Sequence, residues 1–82
     1  MNAELYAAIL RLAEALIKVG GLFGEAARRK IKAVNANSDL AILVQVAGDL
    51  ELIARQLDAT EAAWEMEQAV CRSLEQGEQW TS

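Results

Sequence analysis

The 82-residue chain has no proline and no histidine, one cysteine, one tyrosine, one phenylalanine and two tryptophans. Each shortage removes a class of chemistry. Without histidine there is no Ser–His or Cys–His nucleophile, no imidazole acid or base, and no Cys2His2 zinc site. A lone cysteine cannot build a disulfide framework, and it fits a reducing compartment. Long apolar runs are missing too. Leu40–Val44 is apolar throughout, yet it falls far short of the ~20 residues that span a bilayer. Glu4, Arg11, Glu14 and Lys18 interrupt the N-terminal region, which also lacks the basic start of a signal peptide. We therefore expect a cytoplasmic protein with no membrane association, no cofactor, no metal and no catalytic activity.

What is present is helical. Hydrophobic residues make up 54% and charged residues 24%, a composition of folded rather than disordered chains. Asn2 can cap a first helix, with Glu4 in its first turn. Leu5, Ile9, Leu12 and Leu16 recur at spacings of three and four, and Tyr6, Leu10, Ala13 and Ile17 run beside them. The resulting apolar face is wider than one neighbouring helix would cover. Gly20, Gly21 and Gly24 come next; each disfavours a helix interior by about 1 kcal/mol relative to alanine, which predicts a break. The apolar phase nevertheless continues through Phe23, Ala27, Ile31 and Val34. An unbroken helix, with the glycines at a close helix crossing, is the alternative.

Asn35-Ala36-Asn37-Ser38-Asp39 is turn chemistry, and Asn37 or Ser38 can cap the next helix. Leu43, Leu50, Leu57, Trp64 and Cys71 then fall seven residues apart, the repeat of a bundle or coiled-coil seam. On that seam Trp64 reads as a core aromatic and Cys71 as a small buried side chain. In the last part the apolar set drifts toward Ala59, Ala63, Met66 and Val70, which leaves Glu67 exposed. The segment is either one helix of about 38 residues or two helices meeting near Asp58, where Asp58-Ala59-Thr60-Glu61 could cap a restart. Gly77 is expected to stop it, giving a helical domain over 1–76 and a tail over 77–82.

The expected fold is all-α: an antiparallel helical hairpin or three-helix unit with a long C-terminal helix. Small helical units have thin cores. The surplus apolar face of the first helix therefore predicts a homo-oligomer, most simply a dimer, with its seam at Leu43, Leu50, Leu57 and Trp64.

Charge is unevenly spread. Residues 1–38 carry a net +3 and residues 39–82 a net −7. This asymmetry gives two candidate surfaces. The first is acidic, with Asp58, Glu61 and Glu65 on the long helix and Trp80 as an aromatic anchor, suited to a protein with a basic surface. Trp80 could instead fold back onto the bundle. The second is basic, with Arg28, Arg29, Lys30 and Lys32 placed to meet phosphates of a nucleotide or nucleic acid. The Walker lysine-serine/threonine pair is missing after the glycines, and no aromatic is interleaved with the bases for stacking. The principal functional expectation is a small interaction module acting as a regulator, inhibitor or chaperone-like adaptor through its acidic face. The alternative is a nucleotide- or nucleic-acid-binding module working through residues 28–32.

Overall fold

A computed structural model describes residues 3–57 and 60–81, with side chains over 3–57 and 61–75. Among these residues the fold is all-helical, with four helices and no strand: α1 (Ala3–Val19), α2 (Gly21–Lys32), α3 (Leu40–Gln56) and α4 (Thr60–Thr81). Four helices take the place of the expected hairpin or three-helix unit, and the last, of 22 residues, is the longest.

The glycines explain one of the two extra divisions. Gly20 and Gly21 adopt φ of 82° and 69°, a left-handed conformation that costs other residues about 1–2 kcal/mol. Two such residues in succession end α1 and reverse the chain. Gly24 serves another purpose. A β-carbon there would lie 3.3 Å from the Leu16 carbonyl oxygen and 3.4 Å from the Ile17 α-carbon. α2 thus folds back along α1 with backbone against backbone. The break and the close crossing, read from sequence as alternatives, are both present at different glycines.

Residues 33–39 turn the chain again. The Asn35 side-chain oxygen accepts from the Asn37 amide at 2.8 Å, and the Ser38 hydroxyl accepts from the Asn35 amide at 3.0 Å. These side chains close the turn instead of capping α3, whose N-cap is Asp39 without a side-chain bond. The second division falls after Gln56, where the Leu57 amide donates to Ala54 and helix resumes at Thr60. The long segment is therefore two helices. Asp58 and the proposed cap at 58–59 lie outside the described residues, as does the Asn2 cap. α4 passes through Gly77 to Thr81 rather than stopping there; one glycine lowers helix stability by about 1 kcal/mol without ending a helix.

Leu5, Ile9, Leu12 and Leu16 of α1 are fully buried, joined by Leu43 and Leu50 of α3 and Met66 of α4. Ala8, Ala13, Ala27, Ala47, Ala54, Ala63 and Ala69 fill the gaps, which lets the helices lie close. The wide face of α1 is thus covered from within the chain, since α1 touches all three other helices. No polar side chain is buried among the described residues, so the core carries no unsatisfied donor or acceptor.

Candidate interaction surfaces

The heptad positions divide between inside and outside. Leu43 and Leu50 are buried in the chain's own core and Leu57 is half-buried, but Trp64 is 61% exposed. Cys71 is also exposed. The expectation of a buried Trp64 and Cys71 is corrected for one physical reason: a seven-residue repeat keeps its face only along a continuous helix. After the interruption between Leu57 and Thr60, α4 turns Ala63, Met66 and Ala69 inward, as the drift of its apolar set suggested. The all-apolar run 40–44 is divided as well. Leu43 faces inward, Leu40 and Val44 are half-buried, and Ile42 is exposed.

The two charge classes meet within the chain. Arg11 of α1 pairs with Glu65 of α4 at 3.7 Å, and Lys30 of α2 pairs with Asp49 of α3 at 2.9 Å. Arg72 of α4 pairs with Glu4 of α1 at 2.8 Å. The Arg11–Glu65 and Glu4–Arg72 pairs require α1 and α4 to run antiparallel. All of these groups keep substantial solvent contact, so each pair adds little stability. They set register more than strength.

Of the acidic candidates, Glu65 is tied to Arg11, and Glu61 is exposed one turn earlier on α4. Asp58 lies outside the described residues. Trp80 sits on the helical backbone of α4, with its side chain outside the described set. Glu67 is half-buried rather than exposed, against α3. A hydrogen bond with Glu51 and the Glu51 charge raise its pKa above the ordinary carboxylate value, with a smaller push from burial and a partial offset from Arg55. Arg55 meanwhile holds Glu51 at 2.7 Å. This carboxylate pair between α3 and α4 was not legible in sequence, since residues 51 and 67 meet only once the helices are folded together.

Arg28, Arg29, Lys30 and Lys32 are all exposed on α2. Among the described residues the ion pairs engage Lys30 and none of the other three. Arg28 also borders a cavity of about 460 Å³ with Gly20, Gly21 and Gly24 at the α2 N-terminus. Glu25 borders the same space, opposing any anion there, and the Gly24 amide is already bonded to the Gly20 carbonyl. Val19 and Leu22, at this end of the bundle, are exposed, Leu22 at 84%.

A second surface lies between α1 and α4. A groove of about 350 Å³ has Ala7, Ala8 and Ala69 on its floor and Trp64 at one end. The Arg11–Glu65 and Glu4–Arg72 pairs stand on its rim. The sequence-based reading missed this groove because it placed Trp64 in the core. An exposed tryptophan beside small apolar residues inside a charged rim is the composition of an interaction hot spot. Among the described residues no helix is long and apolar enough to cross a membrane, and no group of three acidic or cysteine side chains gathers to hold a metal ion. In comparisons with known proteins, no family model, no curated protein and no solved structure matches the chain.

Proposed function

We propose that this chain is a helical protein–protein interaction module that acts as a regulator, inhibitor or adaptor by docking another polypeptide on its α1–α4 face. The observation that carries this reading is Trp64, 61% exposed on α4 at the end of an alanine-floored groove. Burying a tryptophan contributes a large apolar area with few rotamers to fix. Glu61 and Glu65 lie on the same stretch of α4. Glu65 is balanced by Arg11 on the rim. Glu61, outside the ion pairs of the described residues, is the acid beside Trp64 that attracts a basic partner, an attraction weakened by salt. The aromatic anchor expected at Trp80 beside Asp58, Glu61 and Glu65 is in this reading Trp64, next to Glu61 and Glu65 on α4.

The test is capture. The immobilised protein is compared with Trp64→Ala and with Glu61→Lys/Glu65→Lys, with bound polypeptides read by mass spectrometry. Helicity and melting are followed in parallel. Capture that disappears in both variants while the helices persist supports the reading. Identical capture by all three proteins removes it. A second reading, phosphate binding by Arg28, Arg29 and Lys32, draws on their exposure and on the cavity that Arg28 borders. Titration with labelled RNA, DNA and nucleotides at rising salt decides it, because phosphate contacts weaken steeply as salt rises. A flat response at low salt discards it.

A further inference from the structure

The charges on the α1–α4 rim alternate in a way that a single helix pair does not require. Glu4 and Arg11 are seven residues apart on α1, and Glu65 and Arg72 are seven apart on α4. Seven residues rise about 10.5 Å, so each helix carries two rim charges at matched separation. At one end α1 supplies the anion and α4 the cation; at the other end the signs are reversed. Seen from outside, the rim is a two-by-two checkerboard.

A checkerboard of this kind is complementary to its own copy. Let a second chain lie face to face, related by a two-fold axis in the interface plane and across the helices. Each Glu4 then stands opposite the other chain's Arg11, and each Glu65 opposite the other chain's Arg72. Every facing pair has opposite sign. The same rotation carries Trp64 away from the Arg11–Glu65 end and sets it over the opposite end of the other groove. There Ala7, Ala8, Ala69 and Gln68 line the groove that would receive the indole, beside the Arg72 guanidinium as a cation–π partner. Two tryptophans and two grooves are filled by one operation, which is the self-complementarity a two-fold interface needs.

We propose that the α1–α4 face is a homodimer interface, with two chains packed antiparallel and each Trp64 seated between Glu4 and Arg72 of the other. This names the first occupant of the docking face and rests on the functional reading above. Area sets the strength. A face of two helices, each about 10–12 Å across and about 25 Å long, offers on the order of 600 Å² per chain. That is near the lower bound of roughly 1,200 Å² in total for specific interfaces. The dimer is accordingly a weak one, exchangeable for another polypeptide with similar rim charges.

Sedimentation equilibrium of the full chain tests this. The expected mass tends to twice the 8.9 kDa of the chain as concentration rises into the high-micromolar range. The decisive variant is the double exchange Glu4→Arg/Arg72→Glu. It keeps an ion pair between α1 and α4, and with it the monomer fold. It also places like charges opposite one another across the two-fold, so the variant should stay monomeric at the concentration where the parent is dimeric. Adding Arg11→Glu/Glu65→Arg restores the checkerboard and should restore the dimer. A parent that stays monomeric overturns the proposal, as does an exchange variant that dimerises like the parent. Either result leaves the docking reading to be judged by its own capture assay, run at a concentration where sedimentation shows parent and Trp64→Ala alike as monomers.

Discussion

Leu50 and Trp64 occupy the same heptad position fourteen residues apart, yet Leu50 is fully buried and Trp64 is 61% exposed. Truncating each to alanine separates a continuous seam from the two-helix arrangement. Removing a fully buried leucine side chain costs about 3–5 kcal/mol once the cavity left behind is included. For 82 residues the whole stability is roughly 4–12 kcal/mol, so Leu50→Ala should remove a large share of it. A surface substitution outside any network changes stability by less than about 0.5 kcal/mol, and Trp64→Ala should fall in that range. The assay is urea unfolding followed by far-ultraviolet circular dichroism, at a concentration where sedimentation shows monomer, since association would add its own stabilisation. With a slope near 1 kcal/mol/M for a domain this small, Leu50→Ala shifts the midpoint down by about 3 M or unfolds the protein in water. Trp64→Ala leaves the midpoint almost in place. Equal losses from the two substitutions would refute the reasoning, because Trp64 would then belong to the core.

The glycines give three outcomes of differing sign in the same assay. Gly48→Ala lies within α3 with open space around it and should gain up to about 1 kcal/mol from helix propensity. Gly21→Ala imposes a β-carbon at φ 69° and should lose about 1–2 kcal/mol. Gly24→Leu forces bulk against the Leu16 carbonyl and should lose about 1–3 kcal/mol as α2 is pushed off α1. The carboxylate pair predicts a pH effect. Because Glu51 raises the folded-state pKa of Glu67, the folded state binds that proton more tightly than the unfolded chain does. Its stabilising contribution is complete below the ordinary glutamate pKa and is lost as pH rises through the raised value. Glu67→Gln should therefore melt higher than the parent at pH 7, with the gap closing toward pH 4. A constant gap across that range would remove the Glu51–Glu67 interaction from the account.

The inward face of α1 was legible because Leu5, Ile9, Leu12 and Leu16 repeat on one side of a helix with no breaker between them. The separation of α1 from α2 was legible only as an option, since residue type permits a positive φ at Gly20 and Gly21 but does not impose it. The phase of α4 was harder still. Leu43, Leu50 and Leu57 set an apparent register, and Trp64 and Cys71 continue it in number but not in space, because the helix is interrupted after Leu57. A counting argument has no access to that rotation. It therefore misplaced Trp64 and with it the groove. The charge asymmetry was legible as a pattern able to bring opposite segments together. Arg11–Glu65 and Lys30–Asp49 show that part of it is spent inside one chain, which leaves a smaller acidic surface than the composition suggested.

The unequal grip on the four helices has a consequence for motion. α1 contributes leucines and isoleucine to the centre, whereas α4 is held there by Ala63, Met66 and Ala69 and by exposed ion pairs. Two alanines and a methionine bury far less apolar area than the α1 stripe. α4 can therefore lift away at a fraction of the free energy of global unfolding, and its amides should exchange with solvent sooner than those of α1. The helix that bears Trp64 is thus better able than α1 to adjust its seat when another polypeptide arrives.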